Sequence, residues 1–384
     1  MSALPIPDHD ALLSSQRLMQ QIQQQIADRG GWISFADYMQ AALYTPHLGY
    51  YSGHSYKFGS SGDFVTAPEI TPLFAATLAA DIAPLLPLSG NTVIEFGAGS
   101  GRLAADLLKA LAQQQALPTH YYIVEISADL AARQRDYLMQ ECPALLSRVV
   151  WLSALPDQIE AVVIGNEVLD AIPCELVYWD PTQQPWQRGV AWSEDGFIWA
   201  DRPIQDPRLQ AAVALLEPGP DYLSEVQLAA AGFMHTLAER LQRGAILLFD
   251  YGFPRDEYYH PQRRQGTLMC HYRHHAHADP FLWPGLQDIT THIDFTTVAE
   301  IGLQHGLDLQ GYTTQAQYLI NAGILDQLAQ FNPEDITHYL PHANAVQKLL
   351  STAEMGELFK VIGFSRGLPL EWQGFLRGDR CRYL

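Results

Sequence analysis

The chain has 384 residues, 48% of them hydrophobic, ample for a buried core plus an insertion or second lobe. It carries 42 acidic against 23 basic residues, a formal charge of -19. Such a surface repels nucleic-acid phosphates and anionic lipid and would attract a cationic ligand or basic peptide. The four cysteines, Cys142, Cys174, Cys270 and Cys381, form no CxxC pair, which fits a reducing compartment without disulfides or a thiolate metal site. Met1 to Asp10 has neither a basic n-region nor a long apolar run, and no stretch is apolar enough to span a bilayer. The expectation is a soluble, cytoplasmic protein with no nucleic-acid partner and no membrane insertion.

Leu12, Leu13, Leu18, Met19, Ile22 and Ile26 make the apolar stripe of a helix over residues 10–29. Ser34–Asp37 reads as the cap of a second short helix. Two turn-rich loops follow, Tyr44–Tyr51 and Ser60–Glu69, then a helix over 72–85. From Thr92 strands and helices alternate: strands at 92–96, 121–126, 148–152, 161–165 and 245–250, with helices at 103–115, 129–140 and 225–242. Short buried strands separated by helices predict a parallel α/β sheet covered on both faces. Glu175–Trp179, Arg188–Trp192 and Phe197–Ala200 read instead as a β insertion after the fourth core strand, and 360–364 as the last strand. The expected division is an N-terminal helical and lid region over 1–90, a core over 91–172 and 222–384, and the insertion over 173–221.

The sharpest motif is Val93-Ile-Glu-Phe-Gly-Ala-Gly-Ser-Gly-Arg-Leu103. A strand runs through Gly97-x-Gly99-x-Gly101 directly into a helix, whose free N–H groups face a bound polar group. A dinucleotide site would need glycine at 102, where this chain has Arg102. The GxGxG spacing with Glu95 before it is the pattern of an S-adenosylmethionine site. Glu95 would lie near the cofactor's amino group or its water. Glu125, ending the next strand, is placed to accept from both ribose hydroxyls. Asn166, Glu167 and Asp170 leave the C-terminal end of the fourth strand, where ligands of open α/β sheets bind. Helix capping is the bland alternative for Glu167 and Asp170, and for Asp170 it weighs about equally.

The ordered set Gly62-Asp-Phe-Val-Thr-Ala-Pro-Glu69, Glu95–Gly101, Asn166-Glu-Val-Leu-Asp170, Phe249-Asp-Tyr-Gly252, Gly266–Tyr272 and Asp288–Phe295 resembles the MidA-like methyltransferases over about residues 15–370. The resemblance implies a Rossmann-like class I methyltransferase fold and S-adenosyl-L-methionine as donor. It also implies a protein acceptor with an arginine guanidine favoured, on a respiratory complex I subunit or another basic protein. The expected cofactor residues are Glu95, Gly97, Ala98, Gly99, Gly101, Glu125, Asn166, Thr66 and Pro68. The expected catalytic residues are Glu167 and Asp170, with Asp63, Glu69 and Asp294 in support. Tyr44, Tyr50, Tyr51 and Phe58 could wall the pocket against the sulfonium or simply pack the N-terminal lobe. The histidines 271–277 match no standard zinc spacing, so no metal is expected. A homodimer is compatible with the reading. A small-molecule methyltransferase, a non-catalytic assembly chaperone and an NAD-dependent oxidoreductase remain open as alternatives, the last disfavoured by Arg102.

Overall fold

Alternating β-rich and helix-forming segments assemble into a seven-strand path in the computed structural model, which describes residues 4–53, 66–369 and 371–384. The strand order is Asp308–Thr314, Phe359–Arg366, Leu241–Phe253, Ile159–Asn166, Thr92–Phe96, His120–Val124 and Val149–Leu152. The pairs from Leu241–Phe253 through to Val149–Leu152 are parallel. Phe359–Arg366 is antiparallel to both of its neighbours. Strands 92–96 and 159–166 are neighbours although two strands and their helices separate them in the chain. That is where the order reverses, the place beyond whose strand ends ligands of open α/β sheets bind.

The chain divides into two compact units. One holds residues 65–169, 234–252 and 295–384, and so most of the sheet just described. Its core packs Val93, Val162, Ile164, Leu247 and Val361 from the strands against Leu103, Leu107 and Leu111 of the helix Arg102–Gln113, all buried. The other holds residues up to 64, 170–233 and 253–294. In it, the antiparallel strands Glu175–Trp179, Pro185–Ser193, Gly196–Pro203 and Tyr222–Val226, joined by Ile33–Ser34, form one sheet. A smaller sheet takes Met269–Tyr272, His275–His277 and Asp288–Thr290. The amphipathic helix His9–Asp28 buries Leu18, Ile22 and Ile26 here, and Ser34 caps the next helix by accepting from the Asp37 N–H at 3.1 Å. No helix among the described residues is long and apolar enough to cross a membrane.

One expectation is corrected and one strand is added. A helix from 225 is instead the strand Tyr222–Val226 followed by the helix Leu228–Arg240. Glu225 belongs to the strand because its buried carboxylate accepts the Thr267 and Leu268 N–H groups at 2.8 Å each, partners some 40 residues away that propensity cannot foresee. The strand Asp308–Thr314 escapes a periodicity reading because its first residues are polar and only its second half is buried.

Asp81, on the helix Pro72–Ile82, ties the core unit to its C-terminal segment. Its buried carboxylate accepts from the Gly374 N–H at 3.0 Å and from the Tyr318 hydroxyl. Burial lifts its pKa to about 6, against the lowering effect of both hydrogen bonds. A folded-state pKa above the unfolded value means the group favours folding only while protonated. Stability therefore falls by about 3 kcal/mol at most as pH rises from about 4 through 6. Asp81→Asn should remove that loss, so its stability relative to wild type should grow between pH 4 and pH 7 in urea titrations; a pH-independent difference would refute it.

Candidate active site

The glycine turn is built by backbone conformation. Gly97, Gly99 and Gly101 have φ of 59°, 54° and 86°, all left-handed, where any other residue is strained. The Gly101 N–H bonds the Ala98 carbonyl at 2.7 Å, closing the turn tightly before the helix starts at Arg102. A Cβ at Gly101 would lie 3.4 Å from the Gln134 backbone, so the helix Ala128–Glu141 also presses on this turn. Gly101, at the N-cap of the helix Arg102–Gln113, offers no side-chain cap, and the Arg102 N–H bonds Ser100 Oγ at 3.2 Å. The following N–H groups of the first turn lack an intrahelical partner, as a site for a polar ligand requires.

Gln134 organises the turn. It is fully buried, and its Nε2 donates to the Gly99 carbonyl at 3.1 Å and to Glu125 Oε2 at 3.0 Å. Trp151 Nε1 donates to its Oε1 at 2.9 Å, which fixes the amide orientation because an indole nitrogen can only donate. Glu125 Oε1 accepts from the Ser127 N–H at 2.9 Å. Burial raises the Glu125 pKa, and the Ser127 and Gln134 hydrogen bonds pull it down. The carboxylate expected to grip a ribose is therefore held by two donors at the C-terminal end of its strand. Ile126, next to it, is 71% exposed, an apolar face available beside that carboxylate.

Glu95 sits deeper than its sequence position implied. It is 2% exposed, and Tyr121 Oη donates to its Oε2 at 2.7 Å. Burial, with the Glu125 charge adding to it, raises its pKa to about 7, against the Tyr121 hydrogen bond.

The loop after strand Ile159–Asn166 lies beside the turn. Val168 Cγ2 is 3.4 Å from where a Gly97 Cβ would be. Asp250 braces this loop from the next strand, its Oδ2 accepting from the Leu169 N–H at 2.9 Å. Glu167 is left-handed, φ 53°, a strained conformation for a side chain of its kind, and its N–H is tied to the Phe249 carbonyl at 2.9 Å. Asn166 Nδ2 donates to Glu167 Oε1 at 3.2 Å, while the buried Asn166 Oδ1 finds no partner among the described residues. That orphaned acceptor and the three left-handed glycines fit an adenosyl amino acid, which brings hydroxyl and ammonium donors together with a carboxylate. Thr66 and Pro68 belong to a short segment that ends in Glu69, whose carboxylate accepts from Ser100 Oγ and lies 3.9 Å from Arg102. Glu69 thus engages the glycine turn itself.

Other expected site residues lie in the second unit. Asp170 is buried there, its carbonyl accepting from the Thr291 N–H at 3.1 Å; no helix follows it, so the capping reading has nothing to cap. Asp294 is buried, 3.4 Å from Arg255 Nε, and its N–H bonds Gln227 at 3.1 Å. Tyr44 and Tyr51 stack at 5.5 Å, donating to the Ala171 carbonyl and to Asp288 Oδ1 at 2.9 and 3.0 Å. Tyr50 is buried in the core of that unit. Asp63 and Phe58 lie outside the described residues. Gln134 was missed by sequence reasoning, though a signal existed: it occupies the buried stripe between Leu130 and Leu138, where an amide must be paying its way through hydrogen bonds.

Sheet order, glycine turn and the Glu125 carboxylate are those expected of an S-adenosylmethionine-dependent methyltransferase. A family model for such enzymes matches residues 77–313. The chain belongs to the MidA-like family of S-adenosylmethionine-dependent methyltransferases. It is similar to a crystal structure of a methyl transferase candidate from Burkholderia thailandensis bound to S-adenosyl-homocysteine, with a TM-score of 0.96 and 52% identity over 100% of both chains. A native crystal structure of a protein from the same organism gives 0.93 and 51%, again over 100% of both chains. The mitochondrial protein arginine methyltransferase NDUFAF7 homologue of Drosophila melanogaster is 29% identical, over 88% of this chain and 82% of its own. The Danio rerio NDUFAF7 is 26% identical, over 86% and 82%.

Gln134→Leu should leave the Trp151 N–H and the Glu125 carboxylate without this partner, lowering stability by about 1–3 kcal/mol. Affinity for S-adenosyl-homocysteine should fall roughly tenfold, for one interaction of about 1.4 kcal/mol. Calorimetric titration showing wild-type affinity would contradict this account of the turn.

Proposed function

We propose that this methyltransferase acts on a protein, with an arginine guanidine nitrogen as acceptor. The observation that carries the reading is Glu167, a carboxylate held left-handed at the C-terminal end of the fourth core strand, next to the glycine turn's packing partner Val168. Strained backbone of this kind is retained where a side chain must be aimed. The relatives named as protein arginine methyltransferases support the acceptor class. So does the net charge of -19, which favours a basic protein partner. A respiratory complex I subunit is one such partner.

When bound, the cofactor supplies a methyl group already activated on a sulfonium. The chain's own work is then to position and desolvate. Glu125 would hold the ribose hydroxyls, and Ile126 would cover one face of the adenine. Asn166 Oδ1 would accept from the amino-acid end of the cofactor. A guanidinium stays protonated to above pH 12 or so, so its nitrogen is a poor nucleophile. Glu167 would accept two of its N–H groups, orient the reacting nitrogen and take up its proton as the new bond forms.

Glu167→Gln should cut methyl transfer by roughly 100-fold or more, while S-adenosyl-homocysteine affinity by calorimetry stays near wild type. The substrate comes from lysate of a deletion strain, incubated with enzyme and labelled cofactor and read by mass spectrometry. Label on arginine in proteins, lost with Glu167→Gln, is the expected result; label confined to small molecules, or undiminished turnover, would overturn the reading.

A further inference from the structure

We propose a divalent-cation site, remote in sequence from the glycine turn, formed by His235, Glu239 and His305 and suited to zinc. His235 and Glu239 are four residues apart on the helix Leu228–Arg240, so both project from one face. His305 follows the last turn of the helix Phe295–Gln304. One donor atom from each of the three side chains lies within 4.8 Å of the other two. His235 Nδ1 and His305 Nε2 are 2.7 Å apart, and His235 Nε2 is 3.3 Å from Glu239 Oε2.

The donor set decides the ligand. Two imidazoles with one carboxylate suit zinc and its neighbours, not magnesium or calcium, which prefer oxygen. Two nitrogens on one tetrahedral zinc stand roughly 3.3 Å apart, from bonds of about 2.0–2.1 Å. The pair at 2.7 Å stands at hydrogen-bond distance, and the cation would take the place of that contact after a small opening of the two rings. His235 and Glu239 are 46% and 59% exposed, so that opening disturbs no core packing.

His305 itself is placed firmly. Its N–H closes the helix on the Ile301 carbonyl at 3.1 Å, and its own carbonyl accepts from Arg366. The site therefore sits at a helix C-terminus, whose dipole favours a cation. Three protein ligands leave a fourth position for water, so the cation would act as a clip between the helix Leu228–Arg240 and the end of the helix Phe295–Gln304.

The test titrates the tag-free, full-length protein with Zn²⁺ by calorimetry and with Co²⁺ by visible absorption. One Zn²⁺ per chain, a tetrahedral cobalt spectrum and a zinc-dependent rise in melting temperature are expected. His305→Ala and His235→Ala should each weaken binding at least ~10-fold, and His274→Ala with His275→Ala should not. Because His235 is exposed and His305 only half-buried, circular dichroism should show both single variants folded. Zinc binding unchanged in His305→Ala, or abolished by the paired change at 274 and 275, would overturn the proposal.

Discussion

The structure depends on a backbone constraint at residues 97–101. Three successive left-handed positions, alternating with Ala98 and Ser100, fold the chain back on itself between a buried strand and a helix. That conformation costs conformational entropy and strain, and the surroundings must over-determine it. They do so from three directions. Gln134 holds the Gly99 carbonyl from the helix Ala128–Glu141, Val168 packs on Gly97, and Glu69 engages Ser100. The turn that would receive the cofactor is therefore held in shape by contacts within the chain, which leaves less ordering entropy to oppose binding.

Gln134 shows how one buried amide couples several demands. Its oxygen is committed to Trp151, which leaves both amide hydrogens for Gly99 and Glu125. The same side chain thus holds both the glycine turn and the Glu125 carboxylate. A fully satisfied buried network of this kind specifies one geometry, whereas a partly satisfied one would destabilise it. Asp250 does comparable work on the other side of the crevice, fixing the loop that carries Asn166 and Glu167.

Much of this was legible in the chain. Alternation of apolar runs with helical stripes gave the parallel core, because strands buried on both faces read as continuous hydrophobic segments. Glycine spacing with Arg102 in place of glycine separated a nucleoside sulfonium site from a dinucleotide site. The strand Tyr222–Val226 was not legible, since Glu225 looks like a helix former until Thr267 and Leu268 are brought to it. The same holds for Glu95: its position before the glycines is plain, but its hydrogen bond to Tyr121 and a pKa near 7 arise only from burial between strands.

The sequence by itself determined the class of fold, the glycine turn between strand and helix and the identity of the carboxylates at strand ends, because these follow from local periodicity, glycine conformational freedom and motif order. The tertiary structure alone decided which side chains hold that turn, how deeply each acidic residue is buried, and that His235, Glu239 and His305 meet. Those outcomes depend on residues far apart in the chain, and neither spacing nor propensity encodes distance in space.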